Sequence, residues 1–274
     1  MPRLLLALAL VLLTAGAARA QHCEGPLAYR EAASGNAASL TTLEWSPCGR
    51  PERGWAVYAP RIAEEIKTAC APDTPGFAHA LARWRRGHKL GAGGLFDAAS
   101  FDVMKTEWQK ARPFVALRAA GVCPDAPDLS RLAAAGPDES DGGKIILLRP
   151  AALAALRRMV VDAKAAVPDA AADPERLMLF SGYRSPADDA ARCESEANCN
   201  GLVRAQCSAH RTGLAVDLVL GAAAGFDVDS SADANRLWQT QTVTYRWLVG
   251  HARRYGFVNY VFEPWHWEWV GETP

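Results

Sequence analysis

The run "GLAVDLVLG", residues 213 to 221, sets one carboxylate, Asp217, in the middle of an otherwise apolar, β-prone stretch. Alternate residues share a strand face, so Asp217 lies in line with Ala215 and Val219. A strand this apolar is a buried one. An ionised carboxylate inside it is costly unless a cation or a full set of hydrogen bonds meets it. The fold therefore has to bring something positive to Asp217. His210 stands just upstream, across the turn-forming "RTG", and His266 sits in the aromatic stretch "FEPWHWEWVG" near the far end. Glu263 lies three residues before His266, and on a regular strand the two would face opposite ways. Pro264 restricts Glu263 to extended backbone and favours a bend that turns both toward one pocket.

Two histidines and one carboxylate are the usual protein ligands of a catalytic zinc, with the fourth position left open. A separate carboxylate is then needed to move protons. His210, Asp217 and His266 fit the ligand roles and Glu263 fits the base. Glu268, on the same strand face as His266, is a rival base. A competing arrangement is a structural zinc held by Cys193, Cys199, Cys207 and His210, since Cys207 and His210 have C-x₂-H spacing.

"SAHRTGLAVD" has the pattern SxHxxGxAxD, "EPWHW" the pattern ExxHW, and "SGYRS" (181 to 185) precedes both. In this order the three resemble the signatures of the zinc D-alanyl-D-alanine carboxypeptidases and dipeptidases, the VanY-like family related to L-alanyl-D-glutamate endopeptidases and the hedgehog fold. The resemblance covers roughly residues 142 to 271. It implies Zn²⁺ on His210, Asp217 and His266, with Glu263 as general base and acid. It also implies Arg184 on the substrate carbonyl or carboxylate, and Ser208 and Tyr183 lining the pocket. The implied substrates are peptidoglycan stem peptides and the implied reaction is release of the terminal D-alanine. A D,D-dipeptidase or L-alanyl-D-glutamate endopeptidase would use the same centre, and a non-catalytic cell-wall-binding module would keep the fold. Two departures border the pocket. Asp188 and Asp189 stand where a glutamine is common, and a cysteine-bearing insertion, "CESEANCNGLVRAQC", precedes the zinc motif. Trp265, Trp267 and Trp269 alternate along the last strand, as core packing or as a substrate-facing wall, with Trp265 the residue expected at the substrate.

The N-terminus has Arg3, an apolar segment from Leu4 to Leu13, and Ala18-Arg19-Ala20, which read as a signal peptide over 1–20. An exported chain, periplasmic or secreted, is expected to oxidise its seven cysteines. The odd number leaves at least one thiol free or paired between chains. No later stretch is apolar enough to span a membrane. Thirty basic residues balance thirty acidic ones, which argues against a nucleic-acid binder held by bulk electrostatics. "AAAGPDESDGGK", residues 133 to 144, reads as a boundary. It separates a mostly helical N-terminal region, 21–140, from an α+β catalytic domain, 141–274, of the hedgehog/D,D-peptidase-like type. Within the first, helical periods over 60–70, 77–84 and 101–108 flank a Gly-rich turn, faintly resembling half of a peptidoglycan-binding repeat. Within the second, "RPAALAALRRMVVDAKAA" reads as an amphipathic helix, "RLMLFSGYRS" and "GLAVDLVLG" as strands, "TYRWLVGHARRYG" as a helix, and "FVNYVFEPWHWEWVG" as aromatic strands around Pro264.

Overall fold

The computed structural model describes residues 23–46, 50–121, 123–195 and 207–273 and mixes helix and sheet. The expected leader, Cys48 and Cys199 lie outside the described residues. The chain divides into two compact units, Met1–Met104 and Lys105–Pro274.

The first unit holds helices α1 (Arg30–Ser39), α2 (Ala59–Glu65), α3 (Pro75–Gly87) and the start of α4 (Ala98–Lys110), with a hairpin of β1 (Glu44–Trp45) and β2 (Glu52–Arg53). Helix α3 begins where Thr74 accepts a hydrogen bond from the Phe77 N–H and Pro75 occupies the first turn. Helix α2 stops earlier than its periodicity suggests, and Lys67 just beyond it takes a positive φ of 57°. Trp55, Phe77, Phe96 and Phe101 form an aromatic core. Buried Asn36 pins the Gly-rich turn by donating to the Gly94 carbonyl at 2.9 Å and accepting from the Phe96 N–H at 2.7 Å. Cys23 is bonded to Cys70.

The second unit continues through α5 (Pro113–Ala119), β3 (Ala133–Ala134), β4 (Leu147–Leu148), α6 (Pro150–Ala166), α7 (Pro168–Ala172), β5 (Leu179–Ser181), α8 (Pro186–Ser195), β6 (Ala215–Leu218), α9 (Asp233–Thr240), α10 (Val243–His251), β7 (Phe257–Asn259) and β8 (His266–Trp269). Its main sheet has the order β5-β6-β8-β7 with every neighbouring pair antiparallel. The register gives the two faces different chemistry. Val216, Trp267 and Asn259 align in one row, and Tyr245 of α10 covers them, edge-on to Trp267 and accepting from the Asn259 amide at 3.0 Å. Helix α10 packs in turn on α6 and α7. On the other face Ser181, Asp217 and His266 align in the neighbouring row. Alternation along the strands thus separates an apolar, helix-covered face from a polar one.

The stretch 133–144, expected as a boundary, lies inside this unit. Strand β3 pairs with β4, the Leu179 N–H donates to the Glu139 carbonyl at 2.8 Å, and Arg157 grips the Glu139 carboxylate at 2.6 and 2.7 Å. These ties use backbone and charge rather than apolar side chains, so low hydrophobicity did not make a linker. Among the described residues no helix is long and apolar enough to cross a membrane.

Gly213 connects the His210 turn to β6. It has φ 70° and ψ 12°, its carbonyl accepts from the Arg149 N–H at 2.9 Å, and an added Cβ would lie 3.0 Å from Leu132 Cδ2. Gly213→Ala is therefore expected to cost about 1–2 kcal/mol and to lower the thermal midpoint by a few degrees. An unchanged midpoint in a thermal melt would contradict the strain assigned to this turn.

Candidate metal centre and cleft

Asp217 and His266 are cross-strand partners on β6 and β8, and His266 Nδ1 lies 2.9 Å from Asp217 Oδ1. His210 arrives from a 3-10 turn, Ala209–Thr212, which Gly213 folds back beside β6. Arg149 clamps that turn by donating from Nε to the Thr212 carbonyl at 2.9 Å. His210 Nε2 then lies 3.1 Å from Asp217 Oδ2. Its other nitrogen, Nδ1, donates to the Gly182 carbonyl at 2.7 Å, which leaves Nε2 as the lone-pair nitrogen on the Asp217 side. Position 182 needs glycine for this approach, because a Cβ would lie 2.6 Å from Ile146 Cγ2 and 2.8 Å from the Leu147 carbonyl oxygen.

The three side chains are buried, and one donor atom from each lies within 4.8 Å of the others. Two imidazoles and a carboxylate gathered this closely form a donor set for a divalent metal ion. The chemistry of the set fits such an ion, since a cation between the nitrogens and the carboxylate oxygens would compensate all three buried groups.

The cluster opens into a cavity of about 470 Å³, within the size range of small-ligand sites. Glu263, Arg184, Ser208 and Trp265 line it together with the cluster. Glu263 is half-buried in the turn before β8, where its N–H donates to the Tyr260 carbonyl and its own carbonyl accepts from the His266 N–H. That turn aims Glu263 and His266 at one space. Arg184 is held by longer contacts, 3.4 Å to Ser181 Oγ and 3.5 Å to Ser208 Oγ and to Asp189 Oδ1. Tyr183 is not among the lining residues. Its N–H is tied to the Leu147 carbonyl at 2.7 Å, and it is the next residue, Arg184, that borders the cavity. Of the three tryptophans, Trp265 lines the cavity, Trp267 is core, and Trp269 bonds the Tyr255 carbonyl from its indole N–H at 3.0 Å.

Asp188 and Asp189 divide their work. Asp188 is exposed and pairs with Ser185 at the start of α8, whereas Asp189 is buried and accepts from the Ser208 hydroxyl at 2.8 Å and from Arg211 Nε at 3.2 Å. Asp189 thus fixes Ser208 and, through it, the entry to the His210 turn.

Every described cysteine is disulfide-bonded: Cys23 to Cys70, Cys123 to Cys207, and Cys193 as well. This overturns the four-ligand structural zinc at Cys193, Cys207 and His210, because oxidised sulfur is not a thiolate ligand. The sulfur of Cys207, next to the His210 turn, is bonded to that of Cys123. Glu268, the rival base, is 2% exposed beneath His266 and bound to Arg112 at 2.6 Å, so its charge is already partnered. Arg112, Phe114 and Arg118 also line the cavity. They lie in "KARPFVALR", which carries no motif; Pro113 marks only a helix start there.

Fold and site together define an α+β domain with a buried His–Asp–His cluster at the base of a polar cleft. Residues 146–272 match the family model VanY, described as D-alanyl-D-alanine carboxypeptidase. No curated protein matches the chain. Among solved structures, the LdcB LD-carboxypeptidase is 26% identical with a TM-score of 0.34, the match covering 46% of this chain and 60% of that one. DacB from Streptococcus pneumoniae D39 is 21% identical with a TM-score of 0.30, over 54% of this chain and 86% of that one. The chain thus spans 60% of the length of the first of these.

Burial would raise the Asp217 carboxyl, but the two imidazoles beside it hold it well below the usual range. Burial would lower His266, yet its contacts with Asp217 and Glu268 push it up to about 9. Glu268, against its own burial, is held at about 2, chiefly by the Arg112 charge. For the metal-free chain the signs are opposite for acid and base. Glu268 adds stability that is present above about pH 4.5 and is lost as pH falls toward 2. His266 adds stability that is complete below about pH 6.5 and is lost as pH rises through 9. With a chelator present, the thermal midpoint should therefore be highest between about pH 4.5 and 6.5 and fall by several degrees toward pH 9. A flat profile from pH 6.5 to 9 would refute the coupling of His266 to the two carboxylates.

Proposed function

We propose that this chain is an exported zinc-dependent peptidase of the hedgehog/D,D-peptidase-like type that hydrolyses peptidoglycan stem peptides, releasing the terminal D-alanine. The observation that carries the reading is the convergence of His210, Asp217, His266 and Glu263 on one cleft inside a VanY-family domain. The bound ion would supply Lewis acidity for the scissile carbonyl and lower the pKa of water. His210, Asp217 and His266 would hold it.

Glu263, at the cleft wall and outside the ligand set, takes the proton from the attacking water and returns it to the leaving amine. Arg184 donates to the substrate carbonyl or carboxylate and stabilises the oxyanion as charge develops there. Ser208, fixed by Asp189, and Trp265 hold the peptide in register. Export is supported by the fully oxidised cysteines among the described residues together with the apolar leader.

The test is D-alanine release from a pentapeptide ending in D-Ala-D-Ala, with bound zinc quantified in the same samples. Glu263→Ala should keep its zinc and lose about 10²–10⁴-fold in rate, and Arg184→Ala should lose about 10²–10³-fold. Zinc binding without D-alanine release by the unaltered protein would move the assignment to another bond in the stem peptide or to a binding role. Full activity of Glu263→Ala would remove that residue as base.

A further inference from the structure

We propose that Glu268 is a positioning residue for His266, held in place by Arg112 and the Phe114 N–H, so that a segment upstream of the family-matched region completes the metal centre. The inference rests on the metal-site reading above and adds residues that lie outside all three motifs.

Its geometry is a relay of contacts. His266 presents Nδ1 to Asp217 and Nε2 to Glu268, with Nε2 3.5 Å from Oε1. That nitrogen is buried and has no hydrogen-bond partner, and the Glu268 carboxylate at 3.5 Å is the acceptor assigned to its proton. A proton on Nε2 leaves the Nδ1 lone pair facing Asp217, the tautomer a metal ligand requires. Glu268 is itself immobilised. Its Oε1 accepts from Arg112 Nε at 2.7 Å and Nη2 at 2.6 Å, and its Oε2 accepts from the Phe114 N–H at 3.0 Å. The Arg112 guanidinium lies 4.0 Å from the centre of the Tyr260 ring, and Tyr260 packs edge-on against His266.

A purely structural account of this pair is weak. A buried ion pair is commonly replaceable by apolar residues at little cost, and the register partners of Glu268 are apolar: Ala215 on β6 and Val258 on β7. The His266 ring, with Nε2 3.5 Å from Glu268 Oε1, is a polar group that gains from a fixed carboxylate. A carboxylate that orients a ligating imidazole is typically worth about 10–100-fold in metal affinity.

The experiment measures affinity for zinc, by competition with a chromophoric chelator, and the visible absorption of the cobalt-substituted full chain. Asp217→Ala serves as the control that removes the site. Glu268→Gln, which keeps shape, and the double substitution Arg112→Leu/Glu268→Leu, which leaves no unpaired buried charge, are compared with the unaltered protein. Both should weaken zinc about 10–100-fold and alter the cobalt spectrum in protein whose melt remains cooperative. Arg112→Lys, which can still reach the carboxylate with one donor, should fall between. Unchanged affinity and spectrum in Glu268→Gln would overturn the positioning role, whether or not the double variant folds. No metal binding by the unaltered protein would instead overturn the metal-site reading itself.

Discussion

The domain is organised around one buried carboxylate. Asp217 sits mid-strand at 6% exposure, and an imidazole approaches each of its oxygens. A lone carboxylate there would cost several kcal/mol. The neighbouring structure is consequently arranged to deliver nitrogen to it: cross-strand register brings His266, and a tight turn brings His210. A one-residue slip of β6 against β8 would turn Asp217 into the apolar face under α10. The polar cluster and the hydrophobic face therefore specify the same register, one by attraction and the other by exclusion.

Two glycines allow this arrangement in different ways. Gly213 supplies a left-handed backbone so that His210 can double back over the strand it precedes. Gly182 supplies absence of bulk, letting its carbonyl reach His210 Nδ1 between β4 and the turn. The "SGYRS" and "HRTG" motifs thus meet in space as a hydrogen bond, although they are separated by an insertion in sequence. Asp189 closes the same junction from the α8 side by holding Ser208 and Arg211 together.

What could be read in the sequence follows from how local each cause is. The convergence of Asp217, His210 and His266 was legible because a charge in an apolar run demands a partner and histidines are few. Strands β5 to β8 and the α6 and α10 helices were legible from their periodicity. The pairing of residues 133–144 with the rest of the unit was not legible, because backbone hydrogen bonds leave no hydrophobic trace. The Cys123–Cys207 bond was hidden for a related reason. Its partners are 84 residues apart, and spacing says nothing about which sulfurs the fold brings together. Arg112 was invisible because "KARPF" is ordinary helix-start sequence until Glu268 is seen to be buried beneath it.

The Cys123–Cys207 bond and the Arg112–Glu268 pair act on the same piece of chain. Between them lies α5, whose Phe114, Val115 and Arg118 border the cleft. One end of this segment is tied covalently beside Ser208, the other by charge beneath His266. Because Cys207 lies immediately before the His210 motif and Glu268 just beyond the His266 motif, each tie lands within a few residues of a histidine of the His–Asp–His cluster. A wall fixed at both ends loses little conformational freedom when a ligand enters, since the ordering cost was met when the chain folded. The segment outside the recognisable family region thereby belongs to the rigid part of the site, and the cleft is built from more of this unit than its motifs mark.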